Sequence, residues 1–131
     1  MAAGADHQIQ VRHILVEKKE VADLLKETIE AAPSGTGRVK TLMKLAAKYS
    51  ICHTKDDGGN LGWIEVVWDP TESRLPRGGY KTLEYLELHE AILKAVANLE
   101  TRKGEIFGPL ESSDGFHLAI IANEFRTERI L

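Results

Sequence analysis

The first regular pattern along the chain is an alternation of period two over residues 9–16. One face carries Ile9, Val11, His13 and Leu15, and the other carries Gln10, Arg12, Ile14 and Val16. Such alternation is typical of a β-strand, because successive side chains point to opposite sides of a sheet. We therefore predict a strand that carries His13 on an otherwise aliphatic face.

Three later segments carry apolar residues at the 3.6-residue period of an amphipathic helix. The expected inward positions are Val21, Leu24, Leu25, Thr28 and Ile29 in the first, Leu42, Leu45, Ala46 and Tyr49 in the second, and Leu88, Ala91, Ile92, Ala95, Val96 and Leu99 in the third. A proline- and glycine-containing loop over 33–37 should end the first helix. The second helix is predicted over about 39–49 and the third over about 81–100, with Gly104 ending the third.

Shorter apolar runs predict three more strands, over about 61–68, 107–112 and 116–123. The turn Ser113-Asp114-Gly115 joins the last two, and Asp-Gly between apolar runs is a strong hairpin signal. The element order is then β-α-α-β-α-β-β. This order predicts an α+β domain in which helices cover a small, largely antiparallel sheet.

Composition and charge narrow the class of protein. The 131 residues suit one domain, and 43% hydrophobic with 28% charged residues is typical of a soluble globular chain. A net charge of -3 argues against nucleic-acid binding, which needs a clustered basic excess. Cys52 is the sole cysteine, so the fold needs no disulfide. With no apolar stretch long enough for a signal peptide or a membrane span, we expect a cytoplasmic or nuclear protein that does not bind membranes.

Four features carry candidate chemistry. They are His13 in the first strand, Cys52 after the second helix, the glycine-rich turn 58–62, and His117 in the last strand. Taken singly, a strand histidine is more often a core residue than a catalyst, and a lone cysteine behaves as a small buried apolar residue. The glycines are read as backbone-conformation residues, since no lysine-serine pair follows them as in a phosphate loop.

Taken together, five segments resemble the parvulin family of peptidyl-prolyl cis/trans isomerases. They occur in the family's order and are Val11–Val16, Leu45-Ala46 with Ser50-Ile51-Cys52, Gly58–Gly62, Gly104 with Gly108-Pro109, and Asp114–His117. The resemblance covers roughly residues 9–124, flanked by a flexible lead over 1–8 and a tail over 125–131. It implies a four-stranded, largely antiparallel sheet surrounded by helices. It also implies rotation about X–Pro bonds in polypeptides. No cofactor or metal is expected, and a monomer is the default because the apolar stripes of the helices are all used in the core.

The resemblance also assigns roles to individual residues. The implied catalytic residues are His13, Cys52, Ser112 and His117. The implied substrate-binding residues are Leu61, Tyr85, Leu88, Asp114 and Phe116. The two histidines are expected to lie side by side as a hydrogen-bonded pair with defined tautomers, because two adjacent imidazoles cannot both be charged cheaply.

This chain departs from the family after the glycine-rich turn. An insertion over about 65–80 precedes the third helix, and the family's pocket methionine falls near Glu84 or Tyr85. Tyr85 suits an apolar wall better than Glu84, since a carboxylate beside a proline ring is unfavourable. The insertion is read as a surface loop or as a recognition arm, whose candidate contact residues are Trp68, Arg74, Arg77 and Lys81. The short loop after the first strand, Glu17–Glu20, predicts no strict need for a phosphate before proline.

Three alternatives remain open at this stage. The domain could hold extended polypeptide as a chaperone or adaptor without useful catalysis. It could be a thiol enzyme that pairs Cys52 with His13 or His117. It could also bind a metal through Cys52, His53, Asp56 and a distant histidine, although no ligand pair has typical zinc-site spacing.

Overall fold

The computed structural model describes residues 7–33, 35–66 and 83–126. Four strands and three α-helices make up most of the described chain. They are β1 (His7–Val16), α1 (Lys19–Glu30), α2 (Gly35–Tyr49), β2 (Asn60–Glu65), α3 (Leu86–Ala97), β3 (Ile106–Ser112) and β4 (Gly115–Arg126), with a short 3-10 helix, His53–Asp57, between α2 and β2. The predicted order β-α-α-β-α-β-β is confirmed. None of the described helices has both the length and the apolarity that a membrane crossing requires.

The four strands form one antiparallel sheet in the order β2-β1-β4-β3. The central pair runs from His7 opposite Arg126 to Val16 opposite Phe116. β3 and β4 form the predicted hairpin, in which Ser112 faces Gly115 across the turn. The predicted α+β class with a small antiparallel sheet is therefore confirmed. β1 and β4 each extend beyond the predicted limits, by His7-Gln8 and by 124–126.

The sheet separates two apolar clusters. Residues of α3 cover one face, where the cluster contains Ile9, Val11, Leu61, Ile64, Leu83, Leu88, Ile92, Leu93, Ala119 and Ile121. Residues of α1 and α2 cover the other face, where it contains Ile14, Val16, Ala22, Leu25, Ile29, Leu42, Ala46, Leu118 and Ile120. Because side chains alternate along a strand, His13 and His117 project to the α3 side.

The buried stripe of α1 differs from the predicted one. Ala22, Leu25 and Ile29 are buried, whereas Leu24 is 65% exposed and Thr28 is also exposed. The prediction that Leu24 and Thr28 face inward is wrong. The helix is rotated so that the small side chain of Ala22 contacts the sheet, which hydrophobicity alone does not indicate.

Helix α2 begins at Gly35 rather than at Val39. Its glycines occupy the first turn, where most backbone N–H groups have no intrahelical partner in any helix, so a helix-breaking residue costs less there. Leu42 and Ala46 are fully buried as predicted. Tyr49, predicted to face inward, is 43% exposed because it lies at the helix end.

Helix α3 is shorter than the predicted span 81–100. It ends at Ala97, and Leu99 leaves the helix with a φ of 60° and 88% exposure, so neither the predicted stop at Gly104 nor the inward Leu99 is correct. Gly104 serves another purpose. A Cβ there would lie 2.9 Å from the Cα of Gly35, so the glycine permits close approach of this segment to the start of α2.

A close backbone contact positions the first strand beside the glycine-rich turn. The amide of His13 donates a 2.9 Å hydrogen bond to the carbonyl of Gly59. Gly59 has a φ of 76°, and a Cβ at this position would lie 2.1 Å from the carbonyl oxygen of His13. Only glycine fits here, so the turn 58–62 has a steric role beside the histidine.

Candidate functional site

Two histidines form the centre of the candidate site. His13 on β1 and His117 on β4 are both completely buried, and their Nδ1 atoms are 3.2 Å apart. The rings are stacked, with centroids 5.3 Å apart and planes inclined by 20°. Because the two Nδ1 atoms share one hydrogen bond, one must carry the proton and the other must accept it. The structure thus brings the two histidines together as the hydrogen-bonded pair that the family resemblance predicts.

Burial keeps this pair uncharged near neutral pH. Desolvation, with smaller contributions from His117 and His53, lowers the pKa of His13 from 6.5 to about 3. Desolvation also lowers the pKa of His117, although the nearby carboxylates of Asp114 and Glu87 act in the opposite direction. The pair can therefore orient dipoles and hold a proton at a fixed atom, but it offers no imidazolium charge at pH 7.

Ser112 fixes the outer edge of His117. Its Oγ lies 2.7 Å from His117 Nε2 and accepts a 3.1 Å hydrogen bond from the amide of Asp114. The turn is also attached to α3, because the carboxylate of Glu87 accepts a 3.3 Å bond from the Ser113 amide. The hairpin thus orders a chain of contacts from the turn through Ser112 and His117 to His13.

Cys52 reaches the same region from the loop after α2. Ser50 ties that loop to β1, since its buried Oγ accepts hydrogen bonds from the amides of Leu15 and Cys52 at 3.0 and 3.3 Å. The thiol is 3% exposed, and its sulfur accepts hydrogen bonds from Thr54 Oγ1 at 3.2 Å and Tyr85 Oη at 3.1 Å. These hydrogen-bond partners are hydroxyl groups rather than imidazoles, which does not favour a cysteine-histidine nucleophile.

Tyr85 packs across the histidine pair. Its ring centroid is 5.1 Å from that of His13 and 4.9 Å from that of His117. Desolvation, followed by the contact with Cys52, raises the pKa of the phenol, so the hydroxyl stays protonated and donates to the sulfur. Glu84 points elsewhere, to His53. Glu84 and Tyr85 were the two candidates for the family's pocket methionine. The structure brings Tyr85, and not Glu84, to the histidines.

The other predicted substrate-binding residues have different placements. Leu61 and Leu88 are both buried in the α3-side cluster, so they pack beneath the site rather than at its surface. Asp114 is exposed in the β3–β4 turn. Phe116 packs with α1 and α2, on the opposite face of the sheet from His117, and the structure does not bring it to the site. The predicted contacts of Trp68, Arg74, Arg77 and Lys81 lie outside the described residues.

Four residues at or near the site carry contacts that the sequence did not indicate. Thr54 donates to the Cys52 sulfur, and His53 pairs with Glu84 at 2.8 Å. His89 on α3 is buried, and its Nδ1 accepts a 3.2 Å bond from the amide of Leu83. No motif marks these contacts. Those of Thr54 and His89 depend on the local backbone conformation, and that of His53 with Glu84 depends on how the segment before α3 meets the loop after α2. His89 directly follows Leu88 on a helix with a predicted buried stripe, and this position is the sequence feature that could have indicated its burial.

The geometry and the family comparison agree. The family model described as "Rotamase: PPIC-type PPIASE domain" matches residues 11–122, which include most of β1, most of β4 and every described element between them. Among curated proteins, the chain is 36% identical over 67 residues to the Rhodanese-like/PpiC domain-containing protein 12, chloroplastic, of Arabidopsis thaliana. That match covers 49% of this chain and 20% of the Arabidopsis protein.

Solved structures with the same fold include single-domain and larger proteins. NmPin, the parvulin of Nitrosopumilus maritimus, has a TM-score of 0.52 at 23% identity, covering 87% of this chain and 94% of that one. A SurA-like chaperone structure from Campylobacter jejuni has a TM-score of 0.62 at 20% identity, covering 95% of this chain but only 42% of the other. The family match over most of the chain and the shared fold lead to one conclusion: this chain belongs to the PPIC-type peptidyl-prolyl isomerase, or rotamase, family.

Proposed function

We propose that this domain catalyses cis/trans isomerisation of X–Pro bonds in polypeptides by a non-covalent mechanism. The observation that carries the proposal is a hydrogen-bonded chain from the half-buried Ser112 to the buried pair His117 and His13, in a member of the rotamase family. Tyr85 packs against both histidines and donates a hydrogen bond to Cys52. An X–Pro bond interconverts slowly because rotation must break amide resonance, at a cost of roughly 18–20 kcal/mol. A catalyst therefore has to favour the twisted amide over both planar forms.

Cys52 supplies a directed donor for that twisted state. Because its sulfur accepts both described hydrogen bonds, from Thr54 and Tyr85, the thiol proton remains available to a substrate oxygen. The burial of Cys52, which is 3% exposed, strengthens such a contact, because a hydrogen bond is stronger where the local dielectric is low. The histidines would then act as positioning residues that hold Tyr85 and Ser112, since neither histidine is charged at neutral pH.

The same contacts argue against nucleophilic thiol chemistry. A cysteine nucleophile needs a thiolate activated by a neighbouring base, and here the sulfur receives hydroxyl donors while buried to 3% exposure. We expect slow modification of Cys52 by a thiol reagent at neutral pH. Labelling as fast as that of an exposed, activated cysteine would restore the thiol-enzyme alternative.

The proposed substrates are proline-containing polypeptides without a required phosphate. The loop between β1 and α1 consists of Glu17 and Lys18 alone, and Lys19 at the start of α1 already pairs with Asp23 at 3.0 Å. A phosphate clamp would favour arginine forks, which this loop lacks. The chain spans about a fifth of the Arabidopsis protein and less than half of the Campylobacter chain, so the activity is proposed for the domain described here.

Exchange NMR on a panel of X–Pro peptides tests the proposal, with Leu, Arg, Glu or phosphoserine before the proline. We expect the protein to produce cis/trans exchange peaks for several members, and the phosphoserine peptide not to be the sole substrate. Binding of the peptides without exchange would instead identify a chaperone or adaptor built on this fold. Exchange confined to phosphoserine would contradict the proposed substrate class.

A further inference from the structure

A thiol, an imidazole and a carboxylate converge at the edge of the site. Cys52 and His53 lie at the start of the 3-10 helix, and Glu84 lies just before α3. One ligand atom from each of the three side chains lies within 4.8 Å of the other two. His53 Nε2 is 2.8 and 3.0 Å from the two carboxylate oxygens of Glu84. Two segments that are distant in sequence thus present three different ligand types to one point.

We propose that Cys52, His53 and Glu84 form a binding site for a borderline-soft divalent cation such as Zn²⁺. Zinc accepts sulfur, nitrogen and oxygen ligands at about 2.0–2.3 Å, in tetrahedral geometry. Three protein ligands with a fourth position open to water or substrate are a recurring zinc arrangement. A cation bound by His53 and Glu84 would replace their direct hydrogen bond, and both of these side chains are exposed.

The burial gradient and the contacts of the sulfur support this assignment. His53 and Glu84 have 73% and 45% exposed side chains, so an ion can enter from solvent and meet the buried thiol last. The hydroxyl groups of Thr54 and Tyr85 both donate hydrogen bonds to the sulfur. These two hydrogen bonds can therefore persist when the thiol loses its proton and the thiolate binds the metal. Such outer contacts orient metal ligands and stabilise the thiolate.

Occupancy of this site would have a consequence for catalysis, a step that rests on the proposed function. Cation binding releases the Cys52 proton, so the thiol could no longer donate to a substrate oxygen. The bound cation would also hold the sulfur in place next to Tyr85, whose ring contacts both histidines. Zinc should therefore inhibit the isomerase.

Titration of untagged, metal-free protein with Co²⁺ tests the site independently of catalysis. We expect one ion per chain and a thiolate-to-cobalt charge-transfer absorption, which Zn²⁺ abolishes by competition. Glu84→Gln and His53→Asn should each weaken binding by at least about tenfold. Asp56→Asn removes an exposed carboxylate from the same 3-10 helix and should bind normally. Absence of the absorption, or equal weakening by Asp56→Asn and Glu84→Gln, would overturn the assignment.

The catalytic consequence is measured on the same proteins by peptide exchange NMR with and without Zn²⁺. We expect zinc to suppress exchange by the wild type, whereas Glu84→Gln keeps its exchange rate at the same zinc concentration. An unchanged wild-type rate at saturating zinc would overturn the inhibitory role. A wild type that shows no exchange in the absence of metal would refute the proposed function, and the cobalt titration would still decide the binding site.

Discussion

Tyr85 places one ring against both histidines and one hydroxyl on Cys52. Its position before α3 means that a single side chain joins the histidine pair to the thiol. The ring and the hydroxyl have separable effects, because the ring excludes water from the imidazoles while the hydroxyl orients the sulfur. At the scale of single residues, the site is therefore a connected set of uncharged donors and acceptors rather than a charged dyad.

The variant Tyr85→Phe separates these two effects. It keeps the ring and removes the hydroxyl donor to the sulfur, which is worth about 0.5–1.5 kcal/mol for an ordinary hydrogen bond. We expect the isomerase exchange rate to fall by about two- to tenfold. Tyr49→Phe, which alters an exposed tyrosine on α2, is the matched control and should retain the wild-type rate. Equal rates for the two variants would show that the hydroxyl is not used.

At the scale of elements, the sequence indicated most of the fold and part of the site. Period-two and period-3.6 patterns predicted the strands and helices, because each element buries one face. The pairing of His13 with His117 followed from motif order rather than periodicity. Other features depend on tertiary contacts that no local pattern contains. They include the rotation of α1 onto Ala22, the early start of α2 and the meeting of Glu84 with His53.

The glycine-rich turn gives an element-scale prediction. Gly59→Ala should destabilise the fold by at least about 2 kcal/mol, because the residue has positive φ and its Cβ would overlap the carbonyl of His13. Gly37→Ala, within helix α2, is the control and should be neutral or stabilising by up to about 1 kcal/mol. Urea denaturation measures both. A loss for Gly59→Ala no larger than the control would contradict the steric role of the turn.

At the scale of the whole molecule, one face of the sheet is covered by apolar packing and the other carries the candidate site. Helices α1 and α2 seal one side with an apolar cluster. The other side combines the α3 cluster with three buried histidines, His13, His89 and His117. Desolvation lowers the pKa of all three, so the fold keeps each of them neutral at the cost of stability in acid.

This arrangement predicts acid sensitivity. Because the folded-state pKa values lie below 6.5, the unfolded chain binds these protons first as the pH falls. Stability should be fully present above about pH 6.5 and decline towards pH 3, by up to about 1.4 kcal/mol per pH unit for each histidine. Urea denaturation between pH 7 and 4.5 measures the slope. His89→Gln should reduce it, because it removes one of the three buried histidines. An unaltered slope in His89→Gln would contradict this reading.

We place X–Pro isomerisation on the α3 face of the sheet, at the histidine pair. The most direct test compares the exchange rate of one X–Pro peptide with His117→Ala and with Phe116→Leu, adjacent residues on opposite faces of β4. With both variants folded, we predict a loss of about tenfold or more for His117→Ala, since it breaks the chain from Ser112 to His13, and near wild-type exchange for Phe116→Leu. Wild-type exchange by His117→Ala, or an equal loss in both variants, would show that isomerisation does not depend on the histidine pair.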